Sequence, residues 1–170
     1  MGGIGVGNRV WPWCGVWTGK GRVGETRQEM RQQPRKTKYR KAFKGKVGGG
    51  VGGARITHGR WALRSTEGAR LTARQLEASR RALRRRLQRR GRVWRGVFPW
   101  LPVSAKPAEV RRGKGKGSVS FWATRVQPGA ILFEVDGVTA AEAKEALVVA
   151  GAKRPRPTTV SVRRRALDAS

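Results

Sequence analysis

The run Ser118-Val-Ser-Phe-Trp-Ala-Thr-Arg-Val126, Gln127-Pro-Gly129, Ala130-Ile-Leu-Phe-Glu-Val135, followed by Thr139-Ala-Ala-Glu142, decides the fold class. Its first and third pieces are short, rich in β-branched and aromatic residues and bounded by turn formers, so both read as strands. Between them Pro128 and Gly129 suit the two central positions of a type II turn, which predicts that the strands pair as a hairpin. Thr139 and Glu142 then have the spacing of a capping box. They open a helix in which Ala143, Ala146, Leu147 and Ala150 share a face and which Gly151 ends.

Upstream, Thr72-Ala-Arg-Gln75 is another capping box, with Leu71 and Leu76 at the flanking staple positions. It predicts a helix running to Arg90 and stopped by Gly91. At helical spacing Leu76, Leu83 and Leu87 fall within roughly 40° of one another, and Arg74, Arg81 and Arg85 gather on the opposite side. Eight arginines accompany a single acid, Glu77, over this stretch. Few i,i+4 ion pairs are available, and the arginine face reads as an anion-binding face more than a solvated one. Val93–Phe98 has strand composition and stops at Pro99, and Thr158–Val162 reads as the last strand. This order predicts an α+β fold: a largely antiparallel sheet with two helices on one face.

Charge sets the partner. The chain of 170 residues carries 39 Lys+Arg against 10 Asp+Glu, a formal net charge of +29. A compact domain with that excess repels itself unless a polyanion neutralises it, and nucleic acid is the polyanion such a balance fits best. Arginine outnumbers lysine 28 to 11, which favours forked phosphate contacts and stacking on bases. No stretch approaches the roughly 18 consecutive apolar residues of a membrane span. Cys14 is the only cysteine and His58 the only histidine, so the sequence offers no intrachain disulfide and no Cys/His zinc cluster. Neither a metal nor any other cofactor is expected.

Four stretches follow from composition. Residues 1–33 are a Gly-rich extension with Trp11, Trp13 and Trp17, read either as a targeting segment or as a retained segment that docks its tryptophans elsewhere. Residues 34–54 are a basic segment ending in a glycine hinge. Its Arg35, Lys36, Lys38, Tyr39, Arg40, Lys41, Lys44 and Lys46 supply cations and an aromatic for a polyanion, without requiring a fixed free fold. Residues 55–162 are the folded core, and 163–170 a basic tail containing Arg163-Arg-Arg165. Gly48, Gly50 and Gly53 match a dinucleotide fingerprint by spacing alone, with no strand before and no helix after.

Within the core, Arg111-Arg112-Gly113-Lys114-Gly115-Lys116-Gly117 alternates glycine with cations. It lacks phosphate-loop spacing, because Ser118 does not directly follow Lys116 and a strand comes next. It reads as a basic finger whose backbone can approach RNA closely.

Taken in order, Pro34-Arg-Lys-Thr-Lys-Tyr-Arg-Lys, Arg70-Leu-Thr-Ala-Arg-Gln-Leu-Glu-Ala-Ser-Arg-Arg-Ala, Val97-Phe-Pro, Lys106-Pro-Ala-Glu-Val-Arg, Gly113-Lys-Gly-Lys-Gly-Ser and Leu132-Phe-Glu-Val-Asp-Gly resemble the bacterial-type ribosomal protein 16 family of the large subunit. The resemblance covers about Pro34 to Val162. It implies an α+β protein that is not an enzyme and that binds large-subunit rRNA beside the aminoacyl-tRNA site, among neighbouring large-subunit proteins. It further implies that Arg35–Lys46 thread into rRNA and that the finger, Arg111–Gly117, points toward the peptidyl-transferase region and aminoacyl-site tRNA. Arg111 matches an arginine that bacterial members can carry hydroxylated. Arg112 stands where the family usually has Met, and Trp100 where it usually has Asp. The 33-residue extension favours a mitochondrial ribosome, with the bacterial cytoplasm and the plastid as alternatives.

Two other readings stand beside this one. A free-standing nucleic-acid-binding protein or RNA chaperone would use the same charge. An RNA-processing enzyme would need an acid/base set, for which Glu134, Asp136, Glu142 and Glu145 are the local candidates, with Glu142 already explained by capping.

Overall fold

The computed structural model describes residues 31–50, 54–111 and 113–163. Its elements run β1 (Trp61–Ser65), β2 (Ala69–Thr72), α1 (Ala73–Arg86), β3 (Arg92–Arg95), β4 (Leu101–Ser104), β5 (Val119–Val126), β6 (Ile131–Asp136), α2 (Ala140–Gly151) and β7 (Thr158–Val162). Most of the 1–33 extension, Gly53 of the glycine hinge, Arg112 and the tail from Arg164 onward lie outside the described residues.

Local signals locate both helices. Gln75 N–H donates to the Thr72 hydroxyl at 3.2 Å and Thr72 N–H to the Gln75 side-chain oxygen at 2.9 Å, closing the capping box that starts α1. In α2 the Glu142 carboxylate accepts from the Thr139 hydroxyl at 2.9 Å and the Thr139 N–H at 3.4 Å. The apolar faces are buried as their spacing requires: Leu76, Leu83, Ala143, Ala146, Leu147 and Ala150 have no exposed surface. Truncating Leu83 to Ala would therefore cost about 2–5 kcal/mol. The first helix stops a turn earlier than expected, at Leu87, with Gln88, Arg89 and Gly91 at positive φ. The chain has to reverse there to deliver Arg92 opposite Asp136 in β6. Gly91 is required at that approach, since a Cβ would sit 2.5 Å from the Asp136 carbonyl oxygen.

The fold is α+β and every strand pairing is antiparallel, but the strands divide into two sheets, β3-β6-β1-β7 and β2-β5-β4. The expected β5–β6 hairpin does not form. The turn exists, with Gly129 at φ +83° and Ala130 N–H donating to the Gln127 carbonyl at 3.2 Å, yet it carries the chain from one sheet to the other. The β1–β2 connection makes the same passage beside it. Ser65 N–H donates to the Ala130 carbonyl at 3.0 Å and Gly129 N–H to the Ser65 carbonyl at 2.7 Å. Arg64 faces Ile131 and Ala69 faces Val126, so one antiparallel register passes through the bend and belongs to both sheets. Pairing β5 with β2 and β4 and β6 with β1 and β3 fills both edges of each strand, which a two-strand hairpin would leave half open.

The helices lie against each other, α1 also packing on β2 and β5 and α2 on β1 and β7. Leu63, Leu71, Leu132, Phe133 and Val135 meet the leucines of both helices in one core. Strands β1, β2 and β4, each four or five residues long, carry no clear signal in the sequence.

Candidate nucleic-acid interface

Residues 31–50 form neither helix nor strand, as a run of like charges broken by Pro34 and glycines dictates. They nonetheless lie along the core, because their carbonyls accept from core side chains. Lys116 donates to the Ala42 carbonyl at 2.5 Å, Arg125 to Phe43 at 2.7 Å, Gln127 to Gly48 at 3.2 Å, and Arg70 to Gly45. Inward-facing backbone leaves Arg35, Lys36, Lys38, Tyr39, Arg40, Lys41, Lys44 and Lys46 exposed.

The finger leaves the three-stranded sheet between β4 and β5, whose pairing is extended by Ala105 N–H donating to the Ser118 carbonyl at 3.1 Å. Gly113, Lys114 and Gly115 all have positive φ, so the tip is a left-handed turn that glycine permits on both sides of one lysine. Lys106 donates to the Gly113 carbonyl and pins one side. Arg111, Gly113, Lys114, Gly115 and Lys116 are exposed, Gly117 half-buried at the base.

Thread and finger are cross-tied. Lys41 donates to the Lys116 carbonyl at 2.7 Å while Lys116 donates to Ala42 and stands 5.0 Å over the Phe43 ring. At the thread's other end Arg35 and Arg74 line one cleft of about 760 Å³, with Thr72, Phe121 and Trp122. The two cationic segments and the start of α1 therefore form one continuous surface. Arg85 lies farther along α1, roughly 16 Å from Arg74 by helical rise.

On α1, Arg74, Arg81 and Arg85 are exposed as their spacing predicts. The lone acid of the helix is more engaged than the sequence suggests. Glu77 is buried and accepts two hydrogen bonds from Arg80, at 2.6 and 2.9 Å, and one from Arg81 at 2.9 Å. The Arg80 hydrogen bonds, aided by Arg81, hold the Glu77 carboxyl below its ordinary value despite burial. Arg86 pairs with Glu145 of α2. Among the described residues Arg74 and Arg85 make no ion pair, which leaves their charge free for an anion.

Glu134, buried in β6, accepts from the backbone N–H of Thr57 at 3.3 Å, His58 at 2.7 Å and Gly59 at 2.8 Å, stapling the chain's entry into β1. Composition gave no sign of this, nor of Arg70, Arg125 and Gln127 as anchors of the thread; each is set by contacts far away in sequence. Among the described residues no group of three His, Cys, Asp or Glu could hold a metal, and no helix is long and apolar enough to cross a membrane.

Charge and shape thus describe a cationic surface held by the α+β core. The profile of ribosomal protein L16p/L10e matches residues 34–161, from the first residue of the thread to the penultimate residue of β7. The chain belongs to the L16p/L10e family. It is 54% identical over 127 residues to large ribosomal subunit protein uL16 of Xanthobacter autotrophicus, covering 74% of this chain and 93% of that relative. It is 55% identical over 132 residues to the uL16 of Erythrobacter litoralis, covering 77% and 92%. The uL16 of Chelativorans sp. is 55% identical over 127 residues, covering 74% and 93%. The L16p/L10e match takes in the thread, α1 and the finger, and membership makes the chain a ribosomal protein, not an enzyme.

Proposed function

We propose that this chain is a structural constituent of the large ribosomal subunit that binds large-subunit rRNA near the aminoacyl-tRNA site. Its finger faces bound tRNA and the peptidyl-transferase region, and the protein supports tRNA accommodation and subunit assembly. The observation that carries this reading is the Lys41–Lys116 cross-tie, which joins thread and finger into one cationic surface in a chain whose relatives are large-subunit uL16 proteins. Mechanistically the work is positional. Arg35, Lys36, Lys38, Arg40, Lys41, Lys44 and Lys46, with Arg74, Arg81 and Arg85, neutralise phosphates where RNA segments converge, releasing counterions. The core fixes where Arg111–Gly117 emerge, with Arg112 continuing the cationic run. No bond is made or broken by the protein.

The compartment we propose is the mitochondrial ribosome, on the strength of the 33 residues preceding the family match. Quantitative mass spectrometry of large subunits washed at high salt tests both statements. Stoichiometric core peptides in mitochondrial large subunits are expected. Core peptides confined to bacterial-type cytoplasmic or plastid subunits would move the compartment. Recovery only from soluble fractions would replace the ribosomal reading with a free RNA chaperone, which salt releases readily.

A further inference from the structure

Three large aromatic side chains are exposed at one place on the described surface. Tyr39 is 70%, Phe43 89% and Trp100 50% exposed, and all three line a cleft of about 600 Å³ together with Pro102, Lys36 and Lys41. Each ring carries a cation near it: Lys38 5.6 Å from the Tyr39 centroid, Lys116 5.0 Å from Phe43, and Arg125 5.6 Å from Trp100. Trp100 belongs to the rigid core, held between the fully buried Pro99 and Leu101, whereas Tyr39 and Phe43 belong to the thread. The cleft is therefore bounded by one fixed ring and two rings on a segment that the core holds through its carbonyls.

We infer that Trp100, Phe43 and Tyr39 form a stacking clamp for an unpaired RNA nucleotide, its base against the aromatic faces and its phosphate on Lys36 and Lys41. This rests on the RNA-binding reading above and specifies a contact within it. Charge complementarity selects the occupant. No acid lines the cleft, and none occurs anywhere in Arg31–Thr66. An apolar protein segment would cover the rings but leave the lysines desolvated and unpaired, whereas a nucleotide brings a π-face and a negative charge together. Stacking of this kind tolerates any base, because every base has a π-face.

The test uses the full chain with two probes at one salt concentration: a twelve-residue oligouridylate, and an abasic ribose-phosphate oligomer of the same length and charge. The expected result is tighter binding of oligouridylate. Trp100→Ala and Phe43→Ala should each weaken it by roughly 5-fold or more while leaving the abasic oligomer unaffected, and Trp100→Phe should retain most of the affinity. Phe43 is almost wholly exposed, so its substitution does not put the core at risk. Equal losses on both oligomers would make the rings mere spacers for the thread and overturn the clamp, as would no loss on either; the RNA-binding reading would survive both results. Trp100→Ala that spares both affinities yet lowers occupancy in assembled subunits would assign the cleft to a protein. Failure of the unaltered chain to bind either oligomer would remove the clamp and the RNA reading together.

Discussion

The Lys41 ammonium donates to the backbone carbonyl of Lys116 at 2.7 Å, and Lys116 returns a bond to the carbonyl of Ala42 at 2.5 Å. A residue of the finger is thus also an anchor of the thread. Lys116→Ala should speed hydrogen exchange and tryptic cleavage over residues 41–46 in the isolated chain. Lys114→Ala, which removes no such contact, should leave both unchanged; equal protection in the two variants would show that the cross-tie does not hold the thread.

That division also separates the roles of the two lysines in translation. Lys114→Glu reverses charge at the finger tip alone, whereas Lys114→Glu with Lys116→Glu also releases the thread. Particles fully loaded with the single variant should assemble yet accommodate aminoacyl-tRNA more slowly. Normal accommodation kinetics would remove the finger from that step.

The α1 arginines should differ in their response to salt. Arg85 has no ion pair among the described residues, whereas Arg81 shares Glu77 with Arg80. Arg85→Ala should lower the slope of log K against log salt by about one unit, with little change in sequence preference. Arg81→Ala should lower it by less. A changed preference with an intact slope would mean base readout in place of phosphate positioning.

Glu77 links fold stability to acid. The Arg80 hydrogen bonds hold its folded carboxyl below the ordinary value of 4.5, so the stabilisation is fully present above that value and lost as pH falls through the folded one. Glu77→Gln should therefore lower the Tm at neutral pH, and the gap to the unaltered chain should close as pH falls below 4.5 and through the lowered folded value. A gap that stays constant with pH would deny the linkage.

Arg154 runs the other way. It is 9% exposed in the turn between α2 and β7, and among the described residues none of its three guanidinium nitrogens has a hydrogen-bond partner. Burial pushes its pKa down to about 10. The unfolded chain binds that proton more tightly, so the cost is fully present at neutral pH and relaxes only as pH rises past about 10. Leu63, Val148 and Val160 line the same cleft, so Arg154→Leu should pack there and raise the Tm by about 4 °C or more. A lowered Tm would show that the guanidinium is compensated.

Helix starts, the buried faces of α1 and α2 and the exposed arginine stripe were legible in the residues because each depends on neighbours within a turn or two. Thr72 caps through Gln75, and Leu76 reaches Leu83 by the period of the helix. The cationic segments were legible because charge density is a property of composition. Strand partnership was not. Gln127-Pro-Gly129 specifies a turn, but the turn is equally compatible with a hairpin and with a step between sheets. The choice fell to Ser65, Arg64 and Ala69, some sixty residues away, through a register no local pattern encodes. Glu134 looked like a spare acid until three backbone N–H groups converged on it. The sequence by itself thus determined an α+β ribosomal protein with a basic thread and finger. The tertiary structure alone decided that thread and finger share Lys116, that Trp100 and Phe43 line one cleft, and that β5 and β6 part company. Local energetics place helices and charge along the chain, but contacts between distant segments form only when the whole core closes.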